Sequence, residues 1–225
     1  MTPDAALAEL EARADPARAA EMAAYHKAER RYLGVGNPQI NDLVKGWREG
    51  LGIEERVHLA AALWDSDVHE ARIGAAKLLT QARIRPDDAV WAEVRRWVPQ
   101  FDAWAIADAA ANAGERRLTA DPTRLDIVEG WTLDGNMWVR RAALVFTLPW
   151  AKMHHPSPED IARRERILGW ASAYVPDRDW FIQKAIAWWL RSLSKHDPDR
   201  VRAFLAEHGA GMKAFARKDA ARQLS

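Results

Sequence analysis

Three stretches decide the fold: His69-Glu-Ala-Arg-Ile-Gly-Ala-Ala-Lys-Leu-Leu79, Trp138-Val-Arg-Arg-Ala-Ala-Leu-Val-Phe146 and Phe181-Ile-Gln-Lys-Ala-Ile-Ala-Trp-Trp-Leu190. Each passes from aromatic or polar residues through a basic residue to small residues, and then to bulky apolar ones. The basic residues Arg72, Arg141 and Lys184 align. The stretch Trp104-Ala-Ile-Ala-Asp-Ala-Ala110 falls between the first two, so the copies recur roughly every 35–45 residues, the period of two-helix HEAT-like units. One such unit cannot bury its apolar face alone; stacked copies can. The pattern predicts an all-α fold, a HEAT-like helical repeat solenoid with a concave groove, built as a single domain over residues 1–225. The alternative is an ordinary helical bundle with accidental internal similarity.

The punctuation agrees with helices. Six prolines follow a good capping residue: Thr2-Pro3, Asp15-Pro16, Asn37-Pro38, Asp121-Pro122, Ser157-Pro158 and Asp197-Pro198. The capping side chain accepts a bond from a free amide of the first turn, and proline next to it gives up a donor that has no partner anyway. Pro86, followed by Asp87 and Asp88, marks a further start. Gly34, Gly50, Gly114 and Gly135 fit helix ends or turns. Apolar residues recur at helical spacing, as in Leu59, Ala62 and Leu63, or Ile73, Ala76 and Leu79. No alternating β-branched run bounded by hairpin turns occurs. The chain therefore reads as roughly a dozen short helices joined by short loops.

Composition excludes several classes. The 225 residues are 48% hydrophobic and 29% charged. No run approaches the ~20 apolar residues of a membrane span. The first residues show no basic segment followed by an apolar one, so a cytoplasmic protein without a membrane partner is expected. The absence of cysteine removes disulfides, thiol nucleophiles and cysteine-bound metals. None of the seven histidines falls at metal-ligand spacing, and His154-His155 reads as part of a solvated, Pro-rich loop. Gly34-Val-Gly36 lacks the third glycine of a nucleotide loop and the strand before it. No Gly-x-Ser-x-Gly elbow is present. Neither metal nor cofactor is expected. The net charge is only +1, yet Lys213, Arg217, Lys218 and Arg222 near the end face a single Asp219. That basic end suits a polyanion partner and equally suits a solvated helix. Of the twelve tryptophans, most belong to the core.

Trp104 and Asp108 stand four residues apart on one predicted helix, which puts indole and carboxylate on one face. The residues around them are small and apolar, and an acid in mid-helix is no cap. Trp138 and Arg141 share a face in the same way, as do Lys184 and Trp188. Trp188 and Trp189 point about 100° apart, so one of the two belongs to the core. The plain reading of Asp108 is an exposed or ion-paired acid beside a core tryptophan. In the solenoid reading these residues face one groove, and a lone carboxylate among indoles and cations there points to chemistry.

Over nearly its full length the chain resembles the AlkD family of bacterial DNA alkylation-repair glycosylases. The matching stretches are Tyr25-His-Lys, Tyr32-Leu-Gly-Val, Leu63-Trp64-Asp65, Trp104-x-x-x-Asp108, Asn136-Met-Trp138-Val-Arg-Arg141-Ala-Ala-Leu-Val-Phe146 and Phe181-Ile-Gln-Lys-Ala-Ile-Ala-Trp188. The resemblance implies a DNA-binding groove and a catalytic set in which Asp108 matches the family's aspartate. Trp104 and Trp188 match its two groove tryptophans, and Arg141 its active-site arginine. DNA contacts are expected from Arg141, Lys184, Asn37, Tyr25, Arg72, Lys213, Arg217 and Lys218. The implied activity is that of a monomeric, monofunctional glycosylase that excises cationic N3- and N7-alkylated purines from duplex DNA. The chain departs from the family in having Ala103 and Ala105 beside the first groove tryptophan, and a longer loop from about Trp150 to Pro158. The alternative from another class is a non-catalytic HEAT-like scaffold that binds DNA or protein.

Overall fold

The computed structural model describes residues 1–224, and the chain divides into two compact units, Met1–Ala120 and Asp121–Ser225. Among the described residues every regular element is helical, as the pattern predicted. The first unit holds α1 (Pro3–Glu11), α2 (Pro16–His26), α3 (Asn37–Arg48), α4 (Ile53–Asp65), α5 (His69–Leu78), α6 (Asp88–Trp97) and α7 (Trp104–Ala120). The second holds α8 (Leu125–Trp131), α9 (Met137–Val145), α10 (Leu148–Ala151), α11 (Pro158–Ala173), α12 (Trp180–Leu193), α13 (Pro198–His208) and α14 (Ala214–Ala220).

The apolar spacing sets the packing faces. Ile40, Leu43, Val44 and Trp47 are the buried stripe of α3, and Val90, Trp91, Val94 and Trp97 that of α6. In the first unit α3, α5 and α7 pack side by side, with α4 and α6 against their outer faces. In the second, α12 packs between α9 and α14, α8 and α11 pack on α9, and α13 on α12. The three recurrent stretches are therefore α5, α9 and α12, equivalent members of the two stacks. Trp47, Trp64, Trp97, Trp150 and Trp189 are fully buried, as the core reading required. Trp64 and Trp97 stack at 4.4 Å with nearly parallel planes.

Capping follows the punctuation with three exceptions. Thr2, Asp15, Ser157 and Asp197 cap α1, α2, α11 and α13 through their side chains. Asn37 does not cap α3. It is the first helical residue, and Gly36 precedes it as the cap, its amide donating to Gln39 Oε1 at 3.1 Å. Asp121 caps a short 3-10 turn, Pro122–Arg124, that leads into α8. Gly114 lies inside α7, buried on a face of small residues with Ala107, Ala110 and Ala113, rather than at a helix end. The expected long loop is shorter than the sequence suggested. Trp150 belongs to the buried single turn α10, and Arg164 holds its end by donating to Trp150 O at 3.1 Å.

The decisive contact is polar and buried. Glu70, in the first turn of α5, has no solvent exposure. Its carboxylate accepts from the amides of Leu33 (3.0 Å), Gly34 (2.7 Å) and Val35 (3.3 Å). Gly34 has φ +81°, and a Cβ there would stand 2.2 Å from Asp15 O and 2.7 Å from Ala19 N. Only glycine lets this loop lie against α2 while its amides turn to Glu70. Removing the carboxylate strands three buried donors, each worth about 1–3 kcal/mol unmet. Glu70→Ala is expected to destabilise the protein by roughly 3 kcal/mol or more, and Glu70→Gln by about half of that, because an amide oxygen still accepts. Urea denaturation of the two variants beside the parent measures both.

Candidate active-site cleft

The glycine turn at Gly34 delivers the chain to α3, and α2, α3, α5 and α7 together border a cleft of about 970 Å³. The ring of His26 lies 4.6 Å from that of His69 and 5.2 Å from that of Trp104, at the N-terminal ends of α5 and α7. Arg117, near the other end of α7, donates to Gln81 O (2.8 Å) and Ile84 O just past α5. The two helices therefore run in the same direction. His69, Ile73 and Lys77 descend one side of the cleft turn by turn, while Trp104, Asp108 and Asn112 descend the other.

The sequence-predicted residues of this unit separate clearly. Trp104, Asp108, Tyr25 and Asn37 all line the cleft. Trp104 and Asp108 are half-buried, and Asn112 Nδ2 donates to Asp108 O at 2.9 Å. Tyr25 is exposed and meets the Trp104 indole edge-on at 5.9 Å. Arg72, expected at phosphate, turns inward instead. It is 8% exposed, its Nε donates to Trp64 O at 3.0 Å, and its head group pairs with Asp67 at 3.1 Å. Of the residues aligned with it, Arg141 is likewise buried and only Lys184 is exposed.

In the second unit Arg141 is buried on α9, its guanidinium 5.8 Å from the Trp138 ring centroid. On α12, Trp188 is half-buried while its neighbour Trp189 is in the core, as their angular separation demanded. Lys184 is exposed, with Nζ 4.6 Å from the ring centroid of Trp180. The amide of Lys213 donates to Gln183 Oε1 at 2.8 Å at the start of α14, and Arg217 and Lys218 are exposed on that helix.

Cations outnumber carboxylates in the cleft, four against Asp42 and Asp108. Arg18, Lys45, Arg48 and Lys77 line it, and among the described residues none of their head groups is in an ion pair. Elsewhere arginines such as Arg96, Arg140, Arg191 and Arg200 are paired with carboxylates. Burial alone pulls Lys77 below the usual lysine range. His69 is pushed down to about 3, first by burial and then by the neighbouring His26 and Arg30. Burial also lowers His26, with Glu70 opposing and Arg30 adding to the effect. Glu70, His26, His69 and Lys77 were not singled out from the sequence. All four stood in quoted stretches, but the contact of His26 with His69 and the burial of Glu70 arise only from the tertiary packing around α5.

The family described as "DNA alkylation repair enzyme" matches residues 6–224. The chain belongs to this family. Solved structures agree on the fold. A "predicted DNA alkylation repair enzyme" from Enterococcus faecalis superposes with a TM-score of 0.78 at 24% identity, covering 95% of this chain and 97% of its own. AlkD2 from Streptococcus mutans gives 0.61 at 19% identity, with 84% and 88% covered. The protein smu.31 from Streptococcus mutans UA159 also gives 0.61, at 20% identity, with 82% and 91% covered. Among curated proteins none matches. No helix among the described residues is long and apolar enough to cross a membrane.

The histidine shift makes a prediction for this family member. His69 is held neutral in the folded state and takes up a proton freely when unfolded, so folding loses stability as pH falls below the unfolded value near 6.5 and continues to lose it towards about 3. His69→Asn, which has no such proton to bind, should flatten this decline between pH 6.5 and 4. Urea midpoints measured across that range for parent and variant test it.

Proposed function

We propose that the protein is a DNA glycosylase that releases cationic N3- and N7-alkylated purines from duplex DNA by hydrolysis of the glycosidic bond. One observation carries the reading: Asp108 and Trp104 share a cleft with four cations that have no ion pair among the described residues. A carboxylate and an indole attract positive charge, and unpaired cations attract phosphate.

The chemistry needs little more. A purine alkylated at N3 or N7 already carries a positive charge and leaves without a proton donor. As the bond lengthens, positive charge builds on the deoxyribose. The Asp108 carboxylate stabilises that charge electrostatically and orients the water that completes the hydrolysis. The indole face of Trp104 adds attraction of about 0.5–2 kcal/mol for a cationic sugar. Arg18, Lys45, Arg48 and Lys77 hold backbone phosphates, which carry most of the affinity and no sequence information. From the family resemblance alone, Trp188 serves as a second sugar-facing indole and Lys184 adds a phosphate contact, whereas Arg141, matched to the family's arginine, is as covered as Arg72. Both activity and binding are those of a cytoplasmic monomer in this reading.

The test is single-turnover release from duplexes that carry one lesion each. The protein should release N7-methylguanine and N3-methyladenine, and leave uracil and hypoxanthine, which are neutral and leave poorly without a proton donor. Asp108→Asn should slow release of N7-methylguanine by at least 100-fold, a loss of roughly 2.7 kcal/mol of transition-state stabilisation, with DNA affinity unchanged or higher. Release of neutral bases with methylated purines left in place would overturn the proposal.

Binding has its own signature. Each phosphate contact contributes about 0.9 to the slope of log K against log salt. Lys45→Met combined with Arg48→Met should therefore flatten that slope by roughly 1–2, measured by fluorescence anisotropy on undamaged duplex between 50 and 200 mM salt. An unchanged slope would remove α3 from the binding surface.

A further inference from the structure

Two imidazoles in the cleft play no part in the chemistry above. His26 ends α2 and touches Trp104, the indole assigned to the sugar. Their centroids are 5.2 Å apart with planes at 45°. Behind His26 stand the His69 ring at 4.6 Å and the Tyr32 ring, parallel to within 3° at 6.1 Å. Tyr25 closes the group, edge-on to His26 at 5.1 Å and to Trp104 at 5.9 Å. The indole is thus propped from one end of the cleft by a column of rings.

We propose that His26 is a positioning residue, an uncharged imidazole that braces the Trp104 indole and keeps its π face available to the positive charge growing on the sugar. The inference rests on the glycosylase reading and names what that reading requires of the indole's neighbour. An imidazolium at this distance is itself a cation within reach of the ring, so it takes up the attraction meant for the sugar. It also sets a positive charge about one ring beyond the place where positive charge must form. At ~9–10 Å and an effective dielectric near 20 that repulsion corresponds to a rate loss of about twentyfold.

The surroundings keep the imidazole neutral. From α5, Glu70 favours a proton on His26, while burial and Arg30 oppose it. His69 on α5, itself held neutral by burial, brings no charge. Arg30 stands with its side chain fully covered, paired with Asp67 at 3.3 Å and with Asp102. Tyr25, Tyr32 and Trp104 bring no charge. Nδ1 of His26 and Nδ1 of His69 are both buried without a hydrogen-bond partner, so a proton on either would be a buried donor with no acceptor. The neutral, bracing form is therefore present at neutral pH and is lost only as pH falls below the ordinary histidine range.

Two measurements on the full chain test this. In the first, the indole N–H resonance of Trp104, assigned with Trp104→Phe, is followed by NMR from pH 8 down to the onset of acid unfolding. It should shift together with the imidazole signals of His26, and the shift should vanish in His26→Gln and in His26→Asn. In the second, single-turnover release of N7-methylguanine should show an acid limb of about twentyfold in the parent. Either variant should lack that limb and should be slower than the parent at pH 7.5, because the brace is gone. An indole resonance that ignores His26 protonation, or an acid limb that survives in both variants, overturns the proposal. If the parent releases no base at any pH, the glycosylase reading falls and the indole titration alone decides the positioning claim.

Discussion

The first unit depends on one carboxylate. Glu70 gathers three consecutive backbone amides from the segment between α2 and α3, and so fixes where α2 ends and where α3 begins relative to α5. A carboxylate so used must be wholly desolvated, and it is tolerated because each oxygen is occupied by a donor. The amide of Asp15 donates to Leu33 O at 2.8 Å and that of His69 to Arg31 O at 2.9 Å, which tie the same segment to the starts of α2 and α5. Without this knot the rings of Tyr25 and His26 would not be delivered to the N-terminal end of α7, and the cleft would lose a wall.

The second unit meets a similar demand with other chemistry. Gln183, fully buried in the first turn of α12, donates to Val175 O and Asp177 O and accepts from the amide of Lys213. Arg140 on α9 donates to Asp134 O and Gly135 O. In both units, then, a polar side chain at the start of a stacked helix stitches down an adjoining loop. Buried arginines do the complementary work at helix ends, where carbonyls lack partners: Arg72 at Trp64, Arg117 beyond α5, and Arg164 at Trp150. Apolar stripes decide which faces meet, and these few polar contacts decide at what height.

That division explains what could be read from the sequence. Helical period, proline-marked starts and the three recurrent stretches are local signals, and they predicted the helices and the equivalence of α5, α9 and α12. Trp104 with Asp108 was legible because both sit on one helix four residues apart. The polar partners were not, since Glu70 meets its amides 35–37 residues away and no periodicity carries such a pairing. The inward turn of Arg72 was hidden for the same reason: its place in the repeat is a local signal, whereas its burial depends on the carbonyl of Trp64. Asn37 misled because Gly36, just before it, can cap with its backbone alone. The roles expected of Trp188 and Arg141 rest on the resemblance, since spacing alone left them open.

The whole chain is nearly neutral, at +1, while four cations without an ion pair among the described residues line one cleft. Such a molecule has little monopole and a pronounced local field. At physiological ionic strength that field reaches only about 8 Å. A polyanion would feel almost nothing at long range and a firm, oriented pull on close approach. Encounters would be governed by diffusion rather than by attraction from afar, and contacts made by any other face would be released quickly. The consequence is a searcher that samples by brief touches, in which orientation at the moment of contact, not total charge, decides whether the protein stays.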